Sequence, residues 1–183
     1  SEMKDNKISS IVEPVLVKIH SSLANVDGVL NAIKIETDYL NSLFLEGEGA
    51  GPKATTSSII SDLLEIANGS KYNLLAYKSN QLKDVDSINY NDRISNYYLR
   101  IRVKDIPGVL AKITSNLNDE SISIETILQM PENSIPNLIE EVPIIITTHK
   151  TTSKLLNKAV LKIEKLDFVV SKIVVITIDK TIN

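Results

Sequence analysis

Residues Asn96–Gln129, NYYLRIRVKDIPGVLAKITSNLNDESISIETILQ, place a strand, a tight turn, an amphipathic helix and a second strand one after another without a gap. Tyr97, Leu99, Ile101 and Val103 recur at every second position, while Tyr98, Arg100, Arg102 and Lys104 take the other face, which is the period of a half-buried strand. The strand stops at Asp105-Ile106-Pro107-Gly108. Pro107 cannot donate a ladder hydrogen bond, and Gly108 permits close backbone approach where the helix begins. Val109, Leu110, Ile113 and Leu117 then make one helical stripe. Working outward, Glu141–Thr148 (EVPIIITT) is a predicted strand. Ser153–Leu166 is a predicted helix with Leu155, Leu156, Ala159, Val160 and Ile163 on one side, and Val169–Asp179 a closing strand. The order is βαββαβ, an α+β pattern.

The turn admits two readings from its residues alone. Asp-x-Pro-Gly between a strand and a helix suits any α+β domain as a connector. It equally suits a ligand, because the free N–H groups at the helix start can hold a carboxylate. YYLRIRVKDIPGVLAKI, SISIETILQ, PIIITTHKTT and the Leu/Ala/Ile pattern of the last helix resemble the ACT regulatory domain that ends many homoserine dehydrogenases. The resemblance covers about half the chain and implies a ferredoxin-like sandwich that binds an amino acid at an interface between two copies. On that basis the expected effector contacts are Asp105, Ile106, Pro107, Gly108, Val109 and Leu110 of one copy and Ile122, Ser123 and Ile124 of another. The implied effector is threonine, and the implied assembly a homo-oligomer, a dimer or larger, built where outer strands leave unpaired edges.

A second resemblance lies upstream. VDGVLNAIKIETDYLNSLFLEGEGAGPKATTSSIISDLLEIANG resembles the end of the homoserine dehydrogenase catalytic region, a β-hairpin and helix remnant. Gly28–Glu36 and Asn41–Glu46 read as strands, and Gly47, Gly49 and Gly51 put half of the six glycines into five residues. Such a cluster is either a flexible strand-to-helix connector or a place where backbone meets an anion. The resemblance assigns Gly49, Ala50 and Gly51 to cofactor contact, with Gly51 against the nicotinamide cofactor, NADP or NAD, of the intact enzyme. Gly47-Glu48-Gly49-Ala50-Gly51-Pro52 is not the G-x-G-x-x-G of a nucleotide-binding unit. Nothing in Ser1–Ser10 resembles the stretch that carries the family's catalytic lysine, so no catalytic residue is assigned and no cofactor is expected on this stretch by itself.

The expected organisation is a polar, disordered start at Ser1–Ser10, a catalytic-domain remnant at Ile11–Gly69, a linker at Ser70–Asn96 and a regulatory domain at Tyr97–Asn183. The linker reads as packed around Tyr72, Leu74, Leu75 and Tyr77 and mobile through Asp84–Asp92. A start at Ser1 rather than Met suits an excised piece. In Thr55–Ala67, the residues Ile59, Ile60, Leu63, Leu64, Ile66 and Ala67 cover a wider arc than a small sheet needs, which predicts apolar surface made for an absent partner.

Composition narrows the function classes. The absence of cysteine excludes disulfides and thiolate chemistry. No apolar run is long enough to span a bilayer, and there is no charged-then-apolar leader, so a cytoplasmic protein is expected, with no membrane partner. A formal charge of −3 offers no footprint for nucleic acid, and the Arg100, Arg102, Lys104 row reads as a solvated or self-pairing sheet face. His20 and His149 stand far apart with no ligand spacing, so no metal site is expected, and His149 reads as a strand cap. The hydroxyls of Thr55–Ser58 read as helix caps, and Asp62 and Glu65 as solvated charge. Two functions remain: the C-terminal portion of a homoserine dehydrogenase, or a free-standing amino-acid-binding module. Val26–Gly69 favours the first, since a pure sensor has no use for that turn and helix.

Overall fold

The computed structural model describes residues 2–4, 6–69, 79–129 and 141–179. In chain order the elements are β1 (Glu2–Lys4), β2 (Lys7–Ser9), β3 (Val15–Leu16), β4 (Leu30–Thr37), β5 (Asn41–Glu48), α1 (Pro52–Ala67) and β6 (Asp86–Ser87). There follow β7 (Ile94–Lys104), α2 (Val109–Asp119), β8 (Ile124–Gln129), β9 (Glu141–Thr148), β10 (Thr151–Thr152), α3 (Ser153–Ile163) and β11 (Val174–Ile178). Two compact units result. The chain up to Leu16 joins the part from Val85 onward, and Val17–Asp84 forms the other.

In the larger unit the main sheet runs β3-β11-β7-β9-β8. Its last four strands are antiparallel neighbours in the interleaved order of a ferredoxin-like βαββαβ fold. The alternation read from the sequence decides the faces: Tyr97, Leu99, Ile101 and Val103 of β7 are buried, as are Val142, Ile144 and Ile146 of β9. Against them α2 sets Val109, Ile113 and Leu117, and α3 sets Leu156, Ala159, Val160 and Ile163. Burial of each such side chain is worth about 1.5–3 kcal/mol, so this one layer dominates the stability of the unit. α3 starts where the Thr152 hydroxyl accepts the Leu155 N–H at 3.3 Å.

The larger unit extends further than its periodicity announces. Ser1–Ser10, expected to be disordered, contains β1 and β2 in an antiparallel ladder, and β2 also pairs with β6 in parallel. β7 begins at Ile94, inside the expected linker, because β10 ladders onto Ser95 and Ile94. Positions 70–78, including the apolar part of that linker, lie outside the described residues. The closing strand is shorter than expected. Phe168 and Val170 bond to the backbone at Lys104 and Arg102, the chain then turns, and a regular ladder resumes only at Val174. Both outer edges were expected open, yet β3 pairs in parallel with β11 and covers one of them.

The smaller unit behaves differently. β4 and β5 form a regular hairpin from Leu30↔Glu48 to Thr37↔Asn41, in which Ile33 faces Leu45 and Ile35 faces Leu43. All four of those side chains are exposed, and α1 buries none of its own. Ile59, Ile60, Leu63, Leu64 and Ile66 are 50–74% exposed, as the excess apolar arc predicts.

Candidate functional site

At the end of β7 the chain passes through Asp105-Ile106-Pro107 to Gly108, whose φ of +89° lies in the left-handed region. That conformation turns the chain into α2 directly after the three-residue turn, and it is nearly free of strain only for glycine. No side chain caps α2, so its first N–H groups are available to an anion. Beside them lies a pocket of about 180 Å³ lined by Asp105, Ile106, Gly108, Val109 and Leu110 of the predicted set. Pro107 shapes the turn and does not line the pocket. Val109 is almost fully buried and belongs to the core as well. Sequence reasoning missed Gln129, which also lines the pocket. Strand order was the signal that could have found it, because β8 lies antiparallel to β9 and ends at the same edge of the sheet as β7. A cavity of this size with Lys104 and Asp105 at its rim offers groups of both signs, which suits a small zwitterion better than a nucleotide.

Ile122, Ser123 and Ile124 stand elsewhere. They line a separate, shallow depression together with Ala111, Thr114, Ser115 and Asn118 of α2. One chain therefore does not bring the two halves of the predicted effector site together. The segment is well held: Ile122 is buried and takes a hydrogen bond to the Leu117 carbonyl at 3.0 Å, and the Ser123 carbonyl accepts the His149 N–H at 2.9 Å. His149 thus ties the end of β9 to this segment through its backbone.

Just before it sits an arrangement the sequence did not suggest. The Glu120 side chain is only 3% exposed and meets Lys162 at 2.6 Å and Lys158 at 2.9 Å. The Lys162 and Lys158 hydrogen bonds hold the Glu120 carboxyl below its ordinary value, against the opposing effect of burial. The same bond to Glu120 raises the Lys162 ammonium above its ordinary range. Two lysines one turn apart on α3 thereby pin the end of α2. Burial pushes the Tyr97 hydroxyl up, and that hydroxyl lies 2.8 Å from Ser153 Oγ.

The glycine turn of the smaller unit divides by role. The Gly49 N–H bonds to the Val29 carbonyl at 3.2 Å, and a Cβ there would fall 1.3 Å from Asn31 Nδ2. Gly51, at φ +117° and ψ 152°, is the N-cap of α1, with Pro52 as the first helical residue. A Cβ on Gly51 would meet nothing within 4 Å, so open space lies beside the backbone there, and no side chain caps the helix. Open space and an uncapped first turn leave room for an anion beside Ala50 and Gly51, whereas the Gly49 N–H is already taken by Val29 and its side-chain space by Asn31. The neighbouring hydroxyls do not cap: Thr55 Oγ1 bonds back to the Gly51 carbonyl at 3.0 Å and Ser58 Oγ to that of Ala54 at 3.1 Å. Among the described residues no cluster of three or more His, Cys, Asp or Glu side chains could hold a metal ion, and no helix is long and apolar enough to cross a membrane.

Comparison with known proteins cuts the chain elsewhere than the two compact units do, because the first match begins within the larger unit and continues through the smaller one. Residues 3–64 match the homoserine dehydrogenase family model, and residues 97–168 match the ACT domain model. The homoserine dehydrogenase of Pseudomonas aeruginosa is 33% identical over 175 residues, covering 92% of this chain and 40% of the relative. That of Neisseria gonorrhoeae is 33% identical over 174 residues, covering 92% and 39%. Among solved structures, a homoserine dehydrogenase from Thiobacillus denitrificans superposes with a TM-score of 0.80 at 34% identity, over 96% of this chain and 40% of that one. The chain spans about 40% of the length of the relatives it matches.

Proposed function

Because this chain carries the C-terminal region of homoserine dehydrogenase followed by an ACT domain, we propose that it is the regulatory end of a cytoplasmic oxidoreductase. The complete form of that enzyme reduces aspartate semialdehyde to homoserine with NADPH or NADH, on the route to threonine, methionine and isoleucine. The ACT domain senses an amino acid, threonine, the end product with the closest chemistry to homoserine. One observation carries the reading: a pocket of amino-acid size abuts the uncapped start of α2. The ligand carboxylate takes the α2 N–H groups, where the helix dipole favours negative charge.

Two copies complete the site, the Asp105–Leu110 turn of one facing the Ile122–Ile124 segment of the other. Support for this comes from the separation of the two depressions within one chain. In the intact enzyme the Gly49–Gly51 turn would lie against the nicotinamide cofactor, and it supplies no catalytic group. Hydride transfer needs both reactants held in attack geometry, so the 183-residue chain by itself is expected to be inactive.

Calorimetry of this chain with threonine, paired with sedimentation, tests the reading. Saturable heat with a shift to a larger species is the expected result. No heat and an unchanged monomer would reduce the domain to a structural appendage, and turnover of homoserine with NADP above a buffer blank would overturn the predicted inactivity.

A further inference from the structure

The segment Glu13–Leu16 lies just before the chain leaves the larger unit at Val17. Leu16 and Val15 run parallel to Ile178 and Thr177, and the Asp179 N–H bonds to the Leu16 carbonyl at 3.0 Å. Two residues of strand are weak by themselves, and a second contact holds them. Arg93 Nη1 bonds to Glu13 Oε1, with the two side chains only 19% and 20% exposed. Arg93 is in turn fixed, because its carbonyl accepts the Ser153 N–H at 2.9 Å at the start of α3. What the strand covers is an edge of high strand propensity, Val174-Val175-Ile176-Thr177-Ile178. An uncovered edge of that composition is a template for another chain.

We propose that Glu13–Leu16 is a strap, latched by the Glu13–Arg93 pair, that reserves the β11 edge of the regulatory sheet. Closed, it leaves the β8 edge for a partner. Released, it offers Val174–Ile178 to a second copy of this chain, giving a strand-paired assembly distinct from any formed at the effector turn. Strap and latch share no residue with the effector turn, so they operate whether or not threonine binds.

The test uses the whole 183-residue chain, with amide hydrogen exchange and sedimentation velocity on Arg93→Met, Glu13→Gln and the charge-exchanged pair Glu13→Arg with Arg93→Glu. Each single substitution should speed exchange at the Asp179 amide by about tenfold or more while the Leu99 and Ile101 amides stay protected, since local opening is separable from global unfolding. It should also produce a concentration-dependent larger species, which the exchanged pair suppresses and which Val175→Lys added to Arg93→Met abolishes. Unchanged exchange and size in the single variants would overturn the strap. So would a larger species that survives Val175→Lys. Loss of protection at Leu99 and Ile101 together with Asp179 would overturn it too, by making the segment an inseparable part of the core.

Discussion

Gly108 and Glu120 show how much single residues decide in the effector unit. Space is not what requires glycine at 108, since a Cβ there would meet nothing within 4 Å; the left-handed φ is. Gly108→Ala should therefore destabilise the chain by about 1–2 kcal/mol in urea denaturation, and Gly108→Asn by less, because asparagine tolerates that region. Equal losses for both would point to a steric cause instead. Glu120 was invisible to sequence reading because its partners lie on another helix. Its carboxyl is held below the ordinary 4.5, so its contribution is present above that value and is lost as pH falls through the lowered one. Glu120→Gln should accordingly lower the urea midpoint at pH 7 and leave the variant with a flatter acid limb than the parent below pH ~4. An acid limb of unchanged steepness would assign the depressed titration elsewhere. Lys162 gives the opposite sign: its raised value keeps the bond intact up to and beyond 10.5, so the clamp should not weaken across neutral pH.

Elements were legible where their packing partners are in the chain. β7, α2, β9 and α3 announce themselves by period, because each buries one face against the others and selection on that face leaves a repeat. The same physics hides β3 and β6, since two residues carry no period, and their pairing depends on neighbours far along the chain. The candidate site follows suit. Its turn was readable from Asp105-Ile106-Pro107-Gly108, whereas Gln129 enters only through the order of strands. α1 was readable as a helix but not as a packed one, and the bare apolar arc it presents is the reason. Ile59 and Leu63 lie one turn apart on that arc and both are more than half exposed. Replacing both with lysine should reduce concentration-dependent association seen by light scattering, while the free energy of unfolding in urea changes by no more than about 0.5 kcal/mol per site, as for ordinary surface positions. A large loss of stability would mean that α1 is covered in solution.

At the scale of the whole molecule, the two units differ in what could hold them folded. Among the described residues, every member of the apolar core falls between Tyr97 and Ile173, in the unit that contains the regulatory sheet. In Val17–Asp84 the one fully buried side chain among the described residues is that of Ser21, and its hydroxyl finds no partner. A hairpin of two strands is marginal in water unless a third element covers its apolar face. β4 and β5 nevertheless keep a full ladder and an apolar face made of Ile33, Ile35, Leu43 and Leu45, the surface of an element built to be covered. Amide hydrogen exchange on the 183-residue chain should therefore separate the units. Amides of Leu30–Thr37 and Asn41–Glu48 should exchange at least about a hundredfold faster than those of Leu99, Ile101 and Ile146, despite comparable hydrogen bonding, because their opening exposes little new apolar surface. Supplying the remaining length of a homoserine dehydrogenase upstream should slow the hairpin amides and leave the regulatory core unchanged. Equal protection of both units in the chain as it stands would show that copies of the chain already cover the hairpin, and it would move the search for the self-association surface from the sheet edges to β4, β5 and α1.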